Sequence, residues 1–81
     1  MSDEDLLKRI VLDPDVMVGQ PCIQGTRLTV KYILNRLGHG ETVEDILDEY
    51  QGLTREDILA CLLFASATLA DISFVPLAST A

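Results

Sequence analysis

Residues 54–70, Thr54-Arg55-Glu56-Asp57-Ile58-Leu59-Ala60-Cys61-Leu62-Leu63-Phe64-Ala65-Ser66-Ala67-Thr68-Leu69-Ala70, decide how this chain folds. Thr54 with Asp57 three positions later reads as a capping box in which Asp stands in the usual Glu position. Beyond it lie no glycine, no proline and no charge from Ile58 to Ala70, so a helix to about Ala70 is expected. Ile58, Leu62, Ala65 and Leu69 form one apolar stripe. Leu59, Leu63 and Ala67 form another beside it, and Phe64 with Ala60 and Cys61 covers much of what remains. A helix that is apolar nearly all round is buried nearly all round. In a small chain one side can face the other helices, while the second side calls for another chain. A homodimer through Leu59, Leu63, Phe64 and Ala67 is the expectation. The alternative is a helix sandwiched between its own bundle and an N-terminal β element.

Two shorter helices precede it. Val30, Ile33, Leu34 and Leu37 recur at helical spacing, and Gly38 and Gly40 supply the left-handed residue that commonly ends a helix. After the Thr42 cap, Val43, Ile46, Leu47 and Tyr50 repeat the spacing up to Gly52. Short connections between helices predict a trihelical bundle of the helix-turn-helix kind. Upstream, Ile10-Val11-Leu12 is β-branched and apolar, and Asp13-Pro14-Asp15 reads as a turn. Around Gly25, residues 22–30 alternate apolar and polar, which fits a β-hairpin or a bulged strand. The fold class expected is therefore mainly α: a homeodomain-like trihelical bundle with a short N-terminal β-hairpin or strand. One domain spans 1–81, with an N-terminal segment (1–9), a β element (10–30), a helical bundle (31–70) and an apolar tail (71–81).

Eighty-one residues make a marginal core, and an apolar fraction of 48% exceeds what one small core hides comfortably. Thirteen acids against six bases give a net charge of -7, which excludes a uniformly basic nucleic-acid binder. The acidic, polar N-terminus is unlike a secretory leader, and the uncharged run from Ile58 falls short of the ~18 residues a membrane span needs. A cytoplasmic protein without a membrane segment is expected. Cys22 and Cys61 are isolated and read as free, buried thiols. With the lone His39 they do not make four zinc ligands, so no metal or cofactor is expected.

The run Gly19-Gln20-Pro21-Cys22-Ile23-Gln24-Gly25-Thr26-Arg27-Leu28, with Val30 and Ile33-Leu34, resembles the pattern GKPxIxGTRixVxxIL. Gly40-Glu41-Thr42-Val43-Glu44-Asp45-Ile46-Leu47 and Leu53-Thr54-Arg55-Glu56-Asp57-Ile58 continue it. Over about residues 9–70 the chain is similar to a small bacterial family, domain of unknown function 433, described as VapB-type antitoxin-like. The resemblance implies a homeodomain-like domain with an N-terminal β element. It also implies the antitoxin half of a toxin–antitoxin pair, whose toxin is a nuclease such as a PIN-domain protein. Gln20 stands where the pattern often has Lys, which removes a positive charge from the hairpin.

Candidate contacts follow from charge and shape. Arg9, Arg27, Lys31, Arg36 and Arg55, with Lys8, are the candidate contacts to operator DNA; Lys31 and Arg36 lie off the apolar stripe and are expected to be exposed. Arg27 suits a phosphate or a partner carboxylate, or equally a structural tie from hairpin to helix. The first turn of the last helix offers one base and two acids, which is poor chemistry for reading DNA. Glu41/Asp45, Glu44/Asp48 and Asp45/Glu49 are like-charge pairs one helical turn apart, each costing roughly 0.2–0.5 kcal/mol. Stability alone does not explain them. They read as an acidic docking face for a basic toxin, centred on Glu44, Asp45, Asp48 and Glu49, or as a solubilising face. Phe74 and Leu77 in the tail are further candidate docking anchors. Nucleophile, base and orienting group cannot be assembled from one His between glycines and from Ser66 and Thr68, so no catalysis is expected.

Overall fold

The computed structural model describes residues 2–15 and 17–70, apart from the Met17 side chain; the tail anchors Phe74 and Leu77 lie outside the described residues. Among the described residues the chain is mainly helical, with four α-helices and one two-stranded antiparallel sheet: α1 (Asp3–Leu7), β1 (Ile10–Val11), β2 (Cys22–Ile23), α2 (Val30–Gly38), α3 (Val43–Glu49) and α4 (Arg55–Leu69).

The N-terminal segment of the sequence reading, residues 1–9, contains a helix for which no periodic signal was available. Ser2 accepts a hydrogen bond from the Asp5 amide at 3.2 Å, and Asp3, Glu4 and Asp5 place three negative charges at the positive end of the helix dipole. Leu6 is buried, and α1 packs against α4. Five residues are too few to be stable alone, so this contact, rather than propensity, holds the helix.

β1 and β2 pair Ile10 with Ile23 and Val11 with Cys22. The strands are shorter than the sequence suggested, and Leu12 is exposed beyond them. The turn after β2 explains its Gly-Thr sequence. Gly25 adopts φ +80°, where a Cβ would be strained. The Thr26 hydroxyl donates to the Ile23 carbonyl at 2.8 Å and accepts from the Leu28 amide at 3.0 Å.

The remaining helices are capped as their sequences require. Thr29 caps α2; Thr42 with Asp45, and Thr54 with Asp57, form complete capping boxes on α3 and α4. Of the two glycines after α2, Gly38 still belongs to the helix and Gly40, at φ +95°, makes the turn. His39 caps the end of α2, its Nδ1 lying 2.7 Å from the Asn35 carbonyl oxygen.

The core gathers Ile23 of β2, Val30 and Ile33 of α2, Ile46 of α3, Leu53 of the α3–α4 connection, and Ile58 and Cys61 of α4. Leu34, Leu37, Val43, Leu47 and Tyr50 close around it, matching the stripes read on α2 and α3. On α4 the inward face differs from the expected stripe. Asp57, Ile58, Ala60 and Cys61 are buried and Phe64 packs onto the core, whereas Leu62 and Leu69 face outward. The helix turns its inner side to α1, α2, α3 and β1 together. Among the described residues no helix is long and apolar enough to cross a membrane.

Ile58 has no exposed surface. Ile58→Ala is expected to lower the unfolding free energy by about 2–5 kcal/mol in urea titration, while Leu12→Ala, at an exposed position, stays within about 0.5 kcal/mol of the parent.

Candidate interaction surface

The basic residues of the sequence reading are dispersed, and three of the five are held by carboxylates. Arg9 donates to the Asp57 carboxylate at 3.1 Å, with only 12% of that carboxylate side chain exposed. Asp57 thus has two tasks: one oxygen meets Arg9 and the other accepts from the Thr54 amide at 3.0 Å. Arg55 lies 3.3 Å from Glu44 on the exposed surface. Arg36, expected to be exposed, has only 13% of its side chain in contact with solvent. Arg27 and Lys31 are exposed and make no ion pair among the described residues.

Arg36 is the centre of a cluster that the sequence reading missed. Its guanidinium grips Glu41 through two donors and reaches Glu49 at 2.8 Å. It also donates to the Tyr32 hydroxyl at 3.2 Å. The rings of Tyr32 and Tyr50 meet edge to face at 6.3 Å, each within 6 Å of the guanidinium carbon, and their hydroxyls are 2.9 Å apart. Favourable cation–π geometry and a planar fork both select Arg over Lys here. Tyr32 and Arg36 are i, i+4 neighbours on α2, and Glu41 follows the Gly turn, so the spacing carried a signal. These contacts shift proton affinities. Hydrogen bonds from Arg36 hold the Glu41 and Glu49 carboxyls below their ordinary value of 4.5. Asp45 is lowered chiefly by the backbone of Thr42 in the capping box. The Tyr50 hydroxyl is pushed up to about 12, first by its hydrogen bond to Tyr32 and then by burial.

Glu41 and the acids of α3 therefore have structural work that their sequence spacing concealed. Glu41 and Glu49 neutralise Arg36, Glu44 meets Arg55, and Asp45 caps its own helix. The like-charge repulsion expected between neighbouring turns is offset by these partners. Asp48 alone among the five is exposed with neither an ion pair nor a side-chain hydrogen bond among the described residues.

The outer side of α4 is apolar. Leu59, Leu62, Ser66 and Leu69 share one exposed face at alternating spacings of three and four, as in a helix seam that meets a second helix. Leu59 is 38%, Leu62 43% and Leu69 62% exposed. Of the residues expected at a dimer interface, Leu59 and Ala67 are exposed and Leu63 is half-buried; Phe64 is partly spent on the chain's own core. Beside this face, the last two turns of α4 and the start of α2 enclose an apolar groove of about 520 Å³, lined by Pro21, Val30, Lys31, Leu34, Asn35, Phe64, Ala65, Thr68 and Leu69. Leu7, Ile10, Phe64, Ala67 and Thr68 line a second hollow against α1 and β1. Thr68 satisfies its hydroxyl on the Phe64 carbonyl at 2.9 Å and asks nothing polar of an occupant.

Both cysteines are free and buried, and burial next to Asp57 pushes the Cys61 thiol up to about 12. Among the described residues no three His, Cys, Asp or Glu side chains gather as a metal site.

A family model described as "Protein of unknown function (DUF433)" matches residues 10–65. Among solved structures, the chain is similar to a DUF433 member protein from Anabaena variabilis, with a TM-score of 0.74 and 28% identity over 83% of this chain. The match covers 66% of that protein's length. No curated protein matches the chain.

Because Glu41, Asp45 and Glu49 are held below their ordinary values, the folded chain binds fewer protons than the unfolded one. The stability they contribute is present above the ordinary carboxylate range and is lost as pH falls through their folded values. The thermal midpoint should therefore decline below about pH 4.5. Glu41→Gln should lower the midpoint at pH 7 and flatten the acid decline; an acid limb identical to the parent's would contradict this reading.

Proposed function

The chain belongs to the DUF433 family, and on that premise we propose that it is a non-catalytic, protein-binding module that works as a homodimer, of the antitoxin type its sequence resembles. The observation that carries the reading is the outer face of α4, where three large aliphatic side chains stand in solvent on a helix that carries no charge after Asp57. Two copies, each with net charge -7, repel over most of their surface. They can meet without juxtaposing acids along α4, whose last charge is Asp57.

The same charge favours a basic protein as the second partner, as a nuclease toxin would be, with the exposed Asp48 and its neighbours giving the approach its direction. In this reading α2, α3 and α4 form the homeodomain-like, helix-turn-helix part of the fold. Operator DNA is left out, because Arg9, Arg36 and Arg55 are engaged with carboxylates and Arg27 and Lys31 make too small a basic footprint.

Sedimentation of the full chain at micromolar concentration should show a dimer. Leu62→Glu, at an outward position, should keep the helical circular-dichroism signal and weaken association at least tenfold, about 1.4 kcal/mol. A monomeric parent would overturn the dimer. Co-expression with the neighbouring open reading frame should yield a stable complex; recovery of this protein alone would contradict the antitoxin type.

A further inference from the structure

The groove between the start of α2 and the end of α4 is apolar and open: Leu34, Phe64 and Ala65 are half-buried along it, and Leu69 is exposed. Leu69 is also the last residue of α4, so the chain leaves the helix at the edge of the groove. Residues 71–81 follow, Asp71-Ile72-Ser73-Phe74-Val75-Pro76-Leu77-Ala78-Ser79-Thr80-Ala81. Ile72, Phe74, Val75 and Leu77 are large and apolar, and Pro76 bars a helix through them. We propose that residues 71–77 turn back after α4 and fill this groove of their own chain, with Phe74 as the anchor and Asp71 facing Lys31. The inference goes beyond the homodimer of the preceding subsection and does not depend on it. Leu59 and Leu62 line no part of the groove and stay free for a second copy.

Reach, charge and concentration select this occupant. The α4 wall runs from Phe64 to Leu69, about 8 Å of helix axis. An extended chain covers that length in about three residues, so after a turn at Ala70 and Asp71 the side chain of Phe74 comes level with Phe64 and Ala65. Lys31 is the single charged residue lining the groove, and it is exposed with no ion pair among the described residues. Asp71 is the single charged side chain of residues 71–81. One opposite pair therefore forms, and no other ion has to leave water when the segment docks. A second copy or a separate apolar partner would fit the same walls, but it must first be brought from solution. A segment joined by a few residues is present at an effective concentration of about millimolar. It displaces any free partner of equal intrinsic affinity and lower concentration, and a second copy is further opposed by its own charge of -7.

The test is a disulfide within the full chain. Asn35 lines the groove from α2 and is exposed. Asn35→Cys and Ser73→Cys are combined in one protein, which is oxidised with copper phenanthroline at low micromolar concentration. The native thiols are buried and serve as a silent background. Random collision of a tethered tail also forms some disulfide, so the readout is dependence on the anchor. Adding Phe74→Ser should slow the reaction at least tenfold. An unchanged rate would mean that the segment merely collides with α2, and would overturn the proposal. A faster disulfide from Leu7→Cys with Ser73→Cys would place the segment in the second hollow, against α1 and β1, and overturns the groove assignment. A product joining two chains on a non-reducing gel would put another copy's segment in the groove, and overturns it too. Sedimentation of the unoxidised protein reads the homodimer separately: a monomer with a fast, Phe74-dependent disulfide would overturn the dimer and uphold the docked tail.

Discussion

Burial of one side of α4 against the other three helices and β1 is the constraint on which this fold depends. The helix meets α1, α2, α3 and β1, and its Ile58, Ala60 and Cys61 keep no exposed surface. Removing it would leave a five-residue helix, two two-residue strands and two helices of under ten residues, none of which is stable by itself in water. Asp57 fixes where the helix begins and fastens Arg9 to it, so one side chain sets both the start of α4 and the path of the chain entering β1.

That inward commitment leaves the outer side of α4 exposed, and the apolar character of the outer side is the source of the functional reading. Elsewhere the molecule manages its surface with charge. Arg36 sits between two tyrosines and two carboxylates and joins α2 to α3, so a region that would otherwise be a repelling cluster of acids becomes a brace. The contrast between a braced, charged α2–α3 surface and a bare, uncharged α4 surface gives the molecule two differently suited faces. In the proposed dimer the first repels a second copy by charge and the second meets it.

The helices α2, α3 and α4 were legible because apolar spacing and Thr caps agree: Thr42 and Thr54 each sit three residues before an Asp that completes the box. Family membership was legible in the Gly-Thr-Arg turn, whose glycine and threonine are both required by its geometry. Other features were not. The helix α1 is too short for periodicity to show, and its signal, Ser2 before three acids, was read only as charge. The inward face of α4 could not be found by counting apolar residues, since nearly all its positions are apolar; which of Leu62 and Cys61 turns inward depends on the elements packed against it. The tasks of the α3 acids were hidden because their partners, Arg36 and Arg55, lie on other helices. Intrahelical spacing reports repulsion within a helix and says nothing about cations brought alongside by the fold.

Hydrogen exchange along α4, measured as a function of protein concentration, tests the central claim most directly. If the outer side of this helix is covered by a second copy, amides of residues 62–69 should gain protection as concentration rises from nanomolar to tens of micromolar, while residues 55–61, already packed in the core, change little. Equal, rapid exchange of residues 62–69 at every concentration would mean that the exposed leucines stay in water, and would contradict the account.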